Sequence, residues 1–99
     1  MKDNIFKEAI EIQMMVGEPA LYEGMAEEAI ELAHAALKTA RILRGENPTP
    51  ARYENAKMAV TEEYSDLETY AHTLGVAIDP DIYREKKERM LARIREAKG

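Results

Sequence analysis

Apolar residues recur at spacings of three and four along nearly the whole chain, which is the pattern of amphipathic helices. No segment shows the strict alternation of apolar and polar residues that is typical of a half-buried strand. The pattern predicts helices over residues 4–16, 19–43, 51–74 and 80–97, joined by a connector over 44–50. We therefore expect an all-α domain of four or five helices.

Residues that start and stop helices stand at the borders of these segments. The predicted starts are Asp3, Pro19, Thr49-Pro50 and Asp79-Pro80, and the predicted stops are Gly17 and Gly75. Inside the third helix, the β-branched pair Val60-Thr61 allows a break, because Thr61 could begin a new turn. This break is the reason for expecting a possible fifth helix.

Each of the two central helices carries an apolar stripe that predicts a buried face. The stripe of the second helix consists of Leu21, Met25, Ala29, Leu32, Ala36, Ala40 and Leu43. The stripe of the third helix consists of Ala56, Val60, Leu67, Ala71 and Leu74. An acid interrupts each stripe, Glu28 the first and Glu63 the second. Because a carboxylate on an inward face is costly unless it is paired or binds a metal, both positions are candidates for function.

Each interrupting glutamate has a second acid three residues later, at Glu31 and at Asp66. This spacing places the two acids of a pair one turn apart on the same helix face. If the faces meet, four carboxylates converge, and their mutual repulsion favours a cation among them. Oxygen ligands indicate Mg²⁺, with Mn²⁺ as the alternative. Taken singly, each pair would be an ordinary solvated face of a glutamate-rich helix.

Composition narrows the class of protein. The 99 residues suit a single domain over 1–99, and no stretch is apolar for the roughly 18 residues of a membrane-spanning helix. The N-terminus lacks the basic start and apolar run of a signal peptide. The absence of cysteine excludes disulfides and thiolate metal sites and fits a cytoplasmic location. A net charge of −5 argues against nucleic acid as the main partner.

Positive charge is nevertheless concentrated in the last predicted helix, which includes Lys86, Arg89 and Arg93. A basic segment on an acidic protein could bind a phosphorylated small molecule. The ordinary alternative is a solvated helix whose charges form ion pairs with acids four residues away.

The motifs together resemble those of the all-α nucleoside triphosphate pyrophosphohydrolases, the MazG-like superfamily. Segments 26–38 and 62–67 are similar to the two metal-binding helices of that family, and segment 86–93 is similar to its basic C-terminal segment. The resemblance implies that Mg²⁺ is bound by Glu28, Glu31, Glu63 and Asp66, and that phosphate is contacted by Lys86, Arg89 and Arg93. The implied reaction is hydrolysis of a nucleoside triphosphate between the α and β phosphates, which gives a monophosphate and pyrophosphate.

The catalytic base in such a reaction would be a carboxylate that accepts a proton from water. Glu31 is our candidate, because its neighbours at helical spacing, Gly24 and Ala35, are small and would leave room for that water. No glycine-rich phosphate loop is present, which excludes a P-loop mechanism.

Two other interpretations stay open. Glu31 and His34 have the Glu-x-x-His spacing of di-iron carboxylate bundles, although the later motif ends in Asp66 instead of a histidine. A small acidic bundle could also be a non-catalytic interaction protein of the same fold. Apolar residues on more than one side of the helices predict a homodimer or a higher homo-oligomer in either case.

Overall fold

The computed structural model describes residues 2–46 and 52–99, and the side chains of residues 6–46 and 52–99. The helices in this part of the chain are α1 (Lys2–Val16), α2 (Glu18–Arg44), α3 (Tyr53–Leu74) and α4 (Pro80–Lys98). No strand occurs among these residues, which confirms the all-α class. The break considered at Val60-Thr61 is absent, because α3 is continuous through both residues.

The helix ends follow local signals in the sequence. Gly45 and Gly75 close α2 and α3 with left-handed φ angles of 73° and 76°, which glycine adopts without steric cost. Asp79 caps α4 as predicted, since its carboxylate accepts hydrogen bonds from the N–H groups of Asp81 (2.9 Å) and Ile82 (3.1 Å).

The starts of three helices differ from the prediction, and α2 begins at Glu18 instead of residue 19. α1 begins at Lys2 instead of residue 4, and α3 begins at Tyr53 instead of residue 51. The predicted caps at Asp3 and at Thr49-Pro50 lie outside the side chains that the structure describes.

α2 and α3 form an antiparallel pair, which is the main unit of the fold. Near one end, the hydroxyl of Thr39 on α2 lies 3.5 Å from the carbonyl oxygen of Ala56 at the start of α3. Near the other end, Gly24 on α2 lies against the ring of Tyr70 on α3. The acidic positions at Glu28 on α2 and Glu63 on α3 fall between these two contacts, in the middle of the pair.

The buried core is small and lies where α1 crosses the early part of α2 and the late part of α3. Leu21 is only 2% exposed, and Ala9, Ala71 and Thr73 are buried with it, whereas Ala56 is buried at the opposite end of the α2–α3 pair. α1 is tied to α3 by the side-chain amide of Gln13, which donates a hydrogen bond to the carbonyl oxygen of Thr73. This core fixes one end of the α2–α3 pair and leaves its middle accessible.

The face that α2 turns toward α3 differs in part from the predicted stripe. Leu21, Met25, Leu32 and Ala40 are buried or half-buried as predicted. The prediction was wrong for the exposed residues Ala29, Ala36 and Leu43, whose places are taken by the half-buried residues Ala35, Thr39 and Ile42. Apolar residues cover more than half of the circumference of α2, so hydrophobicity alone does not determine the rotation of this helix.

α4 stands apart from the other helices. None of its Cα atoms lies within 8 Å of α1, α2 or α3, and every one of its residues is exposed. Among the described residues, no helix combines the length and the apolar character needed to cross a membrane.

Candidate metal centre

Three carboxylates from two helices converge in the middle of the α2–α3 pair. Glu28 on α2 and Glu63 and Asp66 on α3 each offer one oxygen atom, and these oxygens all lie within 4.8 Å of one another. We call these three residues the carboxylate cluster. Glu63 and Asp66 are one helical turn apart and point the same way, while the antiparallel packing brings Glu28 opposite to them. Glu28 and Glu63 are half-buried and Asp66 is exposed.

The electrostatic environment of Glu28 is strongly negative. Partial burial is the largest cause that raises the pKa of Glu28 above its ordinary value of 4.5, and the charge of Asp66 is the next. Glu63 raises this pKa further from α3, and Glu31 and Glu27 do so from α2. The cluster therefore favours a species that supplies positive charge, either a proton on Glu28 or a cation among the three oxygens.

The donor set of the cluster fits a hard divalent cation. All three donors are carboxylate oxygens, which Mg²⁺ and Mn²⁺ prefer, and neither a nitrogen nor a sulfur donor belongs to the group. Mg²⁺ commonly uses one or two protein carboxylates and keeps several water molecules or substrate oxygens as its other ligands. A cluster of three carboxylates with one exposed side suits this mode of binding.

Glu31 does not join the cluster among the described residues, although the sequence predicted it as a fourth ligand. It lies one turn after Glu28 on α2, is exposed, and is close enough for its charge to raise the pKa of Glu28. The space expected for water next to Gly24 is filled by the ring of Tyr70. Ala35, the other small neighbour, does border open space, because it lines the groove that also includes Glu31.

That groove lies between α2 and α3 directly beside the cluster and has a volume of about 410 Å³. We call it the α2–α3 groove. Its floor is apolar, and its polar lining residues are Glu31, His34, Lys38, Asn55 and Glu63. Glu63 belongs to both the groove and the cluster, so a ligand in the groove would extend toward the three carboxylates.

The sequence pattern did not predict the α2–α3 groove. The signal that could have revealed it is the set of small residues on the two facing helices, since Ala35 on α2 meets Ala56 and Ala59 on α3. Small side chains opposite one another leave a gap between helix backbones, and the polar residues at its edges, Lys38 and Asn55, then acquire a shared surface.

The three predicted phosphate-binding residues share one side of α4. Lys86, Arg89 and Arg93 line a shallow surface together with Met90 and Ile94. Because α4 contacts no other described helix, the single chain does not bring these cations to the carboxylate cluster.

The two histidines also stand outside the cluster. His34 is exposed at the groove, and His72 on α3 lies near the ring of Phe6, with 6.2 Å between ring centroids. Among the residues that the structure describes, the only carboxylate and imidazole groups that converge closely enough for one ion are the three acids. The arrangement therefore lacks the Glu-x-x-His pairs of a di-iron bundle.

Comparisons with protein-family models, with curated proteins and with solved structures gave no match to this chain.

Proposed function

We propose that this chain is a Mg²⁺-dependent nucleotide pyrophosphohydrolase of the MazG-like type, which hydrolyses a ribo- or deoxyribonucleoside triphosphate between its α and β phosphates. The observation that supports this most is the convergence of Glu28, Glu63 and Asp66 from two helices. These residues match the acidic motifs on which the resemblance to that superfamily is based, and their oxygens suit Mg²⁺ or Mn²⁺.

The carboxylate cluster would hold the cation, with Glu31 at its edge. When bound, a divalent cation neutralises phosphate oxygens and lowers the pKa of a coordinated water. Glu31 accepts the proton from the attacking water, whose oxygen bonds to phosphorus as the anhydride P–O bond breaks. Phosphoryl transfer needs mainly positioning and charge neutralisation, so few further protein groups have to take part in bond making.

The α2–α3 groove would take the nucleoside half of the substrate. Its apolar floor suits the face of a base, and the Asn55 amide can both donate and accept hydrogen bonds at the edge of that base. Lys38 adds a positive charge at the rim of the groove, where it would attract an acceptor atom or a phosphate oxygen. Because Glu63 borders groove and cluster, one substrate can fill both.

A cytoplasmic location and a homo-oligomeric assembly complete this picture of the protein. A chain without cysteine suits the cytoplasm, where nucleotides are abundant and thiols stay reduced. The exposed apolar faces favour a homodimer or a higher homo-oligomer.

The direct test measures pyrophosphate release from a panel of nucleoside triphosphates in the presence of Mg²⁺. We expect Glu63→Gln and Asp66→Asn each to lower turnover by at least about 100-fold, because each removes a charge that holds the cation. The matched control is Glu62→Gln, which changes an adjacent exposed acid outside the cluster and should keep activity within about twofold. If all three variants are as active as the wild type, the carboxylate cluster is not part of the active site.

A non-catalytic interaction protein of the same fold is the second candidate. The feature that favours it is α4, a helix with exposed apolar residues and no Cα atom within 8 Å of α1, α2 or α3. This candidate predicts no pyrophosphate release from any nucleotide and no effect of Mg²⁺ on the thermal midpoint of unfolding. The enzyme should instead release pyrophosphate and unfold at a higher temperature when Mg²⁺ is present.

A further inference from the structure

α4 has no packing surface within the described part of its own chain. It is 19 residues long, all of its residues are exposed, and no Cα atom of α1, α2 or α3 lies within 8 Å of it. Its start is nevertheless fixed, since the Asp79 carboxylate accepts hydrogen bonds from the Asp81 and Ile82 N–H groups. Isolated helices of this length are marginal in water, so α4 gains stability when another surface covers it.

One side of α4 carries a narrow line of apolar residues. Tyr83, Met90, Ile94 and Ala97 fall within an arc of about 60° on a helix of 3.6 residues per turn. The three large side chains are each about half exposed or more. We call these four residues the α4 seam. An arc this narrow is typical of the contact between two helices, whereas a helix that lies on a core or on a lipid surface has a wider apolar side.

Cations border the α4 seam on both sides. On one side, Lys86 and Arg93 share a surface with two residues of the seam. On the other side, the ammonium group of Lys87 lies 4.5 Å from the centre of the Tyr83 ring. The other cations on this second side are Arg84 and Lys98. A surface that covers the seam therefore meets positive charge along both edges.

The acids of α4 lie on the side opposite to the seam. Asp81, Glu85, Glu88 and Glu96 fall within an arc of about 80°, whose middle is about 170° from the middle of the seam. α4 carries a net charge of +3, from seven basic and four acidic residues, although the whole chain carries −5. Because its acids point away from the seam, α4 offers a surface that is apolar in the middle and positive at both edges.

This surface is not matched by the chain itself. If two α4 seams meet, cations face cations whether the helices run parallel or antiparallel, and like charges across such an interface are destabilising. The exposed apolar residues of α2 and α1 lack acids on both sides as well, since Arg41 lies one turn after Leu37 and Lys7 lies one turn before Ile10. The best complement is thus a surface of another protein.

We infer that α4 binds an amphipathic helix of another protein, which carries apolar residues along its own seam and acids along both edges. Lys86 and Arg93 are seven residues apart, which is about two turns, so the acids that face them recur every seven residues along the partner helix. The interaction leaves the carboxylate cluster free. It does not depend on nucleotide hydrolysis and applies equally to an enzyme and to a non-catalytic protein.

A synthetic acidic helix tests this inference. The probe is a fluorescent peptide of about 21 residues, with leucine at the first and fourth positions of each seven-residue repeat and glutamate on both sides of the leucines. The control peptide has lysine in place of each of these glutamates. At about 0.15 M salt, we expect the full chain to bind the glutamate peptide at least about ten times more tightly than the lysine peptide, as measured by fluorescence anisotropy. Equal binding of the two peptides, or no binding of the glutamate peptide, would overturn the inference.

Two substitutions with the same change of charge separate the edge of the seam from the rest of α4. Arg93 borders the seam, whereas Arg95 lies about 130° from its middle. We expect Arg93→Glu to weaken binding of the glutamate peptide about tenfold, and Arg95→Glu by less than about threefold. Equal effects would mean that the peptide is attracted to positive charge anywhere on α4, and the assigned geometry would be wrong.

The apolar part of the seam has its own test. Met90→Gln with Ile94→Gln removes two apolar side chains without adding charge, and glutamine is a good helix former. We expect this variant to bind the glutamate peptide at least about tenfold more weakly. Unchanged binding would show that the contact is purely electrostatic and would contradict a helix packed on the seam.

Hydrogen exchange shows which part of the chain the peptide covers. The amides of α4 should exchange more slowly when the glutamate peptide is added to the wild type, because a covered helix frays less. The amides of α2 and α3 should exchange as before. Protection confined to α2 or α3 would place the peptide elsewhere and overturn the inference.

The remaining occupants of the seam are a second copy and a lipid surface. Met90→Gln with Ile94→Gln should have the same mass as the wild type in sedimentation equilibrium, and a smaller mass would show that a second copy covers the seam. Vesicles of phosphatidylglycerol and phosphatidylcholine should not displace the glutamate peptide, and displacement would assign the seam to lipid. Either result would overturn the inference. If the wild type releases no pyrophosphate, the proposed function fails, and peptide binding still decides the role of α4.

Discussion

The ring of Tyr70 on α3 lies against Gly24 on α2, in the space that a Cβ atom at position 24 would occupy. This contact allows the two helix backbones to approach closely, one turn from Glu28 on α2 and one turn from Asp66 on α3. The distance between the carboxylates therefore depends on a glycine that carries no chemistry of its own.

Gly24→Ala tests this dependence. Alanine favours a helix over glycine by about 1 kcal/mol, but its methyl group would overlap the Tyr70 ring, and overpacking typically costs about 1–3 kcal/mol. We expect a net loss of about 1 kcal/mol in the free energy of unfolding, measured by urea denaturation. In a Tyr70→Ala background, the same change should become stabilising by about 1 kcal/mol, because the obstacle is gone. If Gly24→Ala is already stabilising in the wild-type background, the Tyr70 ring moves aside without a measurable cost and the expected overlap is wrong.

The pH dependence of stability should reveal the repulsion at Glu28. Burial and the charges of Asp66 and Glu63 on α3 and of Glu31 and Glu27 on α2 raise the pKa of Glu28 above 4.5 in the folded state. The folded state therefore binds the proton at a higher pH than the unfolded state does, and the free energy of unfolding rises as the pH falls through this raised pKa toward 4.5. Above the raised pKa, the full penalty of the ionised carboxylate is present.

Glu28→Gln removes the penalty of the ionised carboxylate at this position. The difference between this variant and the wild type therefore reports on Glu28 and not on the titration of other groups. With EDTA present, we expect Glu28→Gln to be more stable than the wild type at pH 7, and the difference to shrink as the pH is lowered to 4.5. Urea denaturation at a series of pH values and constant ionic strength measures it. Glu27→Gln is the control, since this exposed neighbour is outside the cluster and should give a smaller difference. A constant difference at all pH values would contradict the assigned cause.

The sequence was sufficient for the helices and for the pairing of the acids, because both depend on local signals. The Asp79-Pro80 start and the Gly75 stop are set by hydrogen bonds within a few residues, which a pattern can reveal. A spacing of three similarly requires Glu63 and Asp66 to share a helix face.

The rotation of α2 could not be predicted in the same way. Its apolar arc is wide enough to present either Ala35 or Ala36 to α3, and the choice depends on contacts between helices, such as that of Gly24 with Tyr70. That rotation brings Glu28 to the two acids of α3 and leaves Glu31 at the groove. Asn55 is a candidate because it lines the groove, whereas nothing near it in the sequence distinguishes it from a surface amide.

Asn55→Ala tests whether the α2–α3 groove holds the nucleoside. A lost hydrogen bond of about 1 kcal/mol corresponds to a rise in KM of about fivefold. kcat should remain nearly unchanged, because the bond is made equally in the ground and transition states. The rise should also differ between bases, since only some present a suitable edge to an amide. Steady-state kinetics on the nucleotide panel measure both effects.

The control for this substitution is Glu54→Ala, which alters the preceding exposed residue of α3 and does not line the groove. Its KM should match that of the wild type. A proportional fall in kcat with unchanged KM in Asn55→Ala would assign the residue to the chemical step and remove it from recognition of the base.

The Asp79 cap should stabilise α4 independently of the other helices. Asp79→Ala removes the acceptor for the Asp81 and Ile82 N–H groups, a loss of about 1 kcal/mol at a typical N-cap, whereas Asp79→Asn retains a good capping side chain. Because no Cα atom of α4 lies within 8 Å of α1, α2 or α3, the fraying that follows should stay within α4 instead of unfolding the α2–α3 pair. We expect Asp79→Ala to speed hydrogen exchange of the α4 amides about fivefold, with Asp79→Asn close to the wild type. Hydrogen exchange resolved by residue measures this effect, and the amides of α3 should exchange as in the wild type. Equal exchange in α3 and α4 would mean that the cap stabilises the whole fold, and the separate role of α4 would then be wrong.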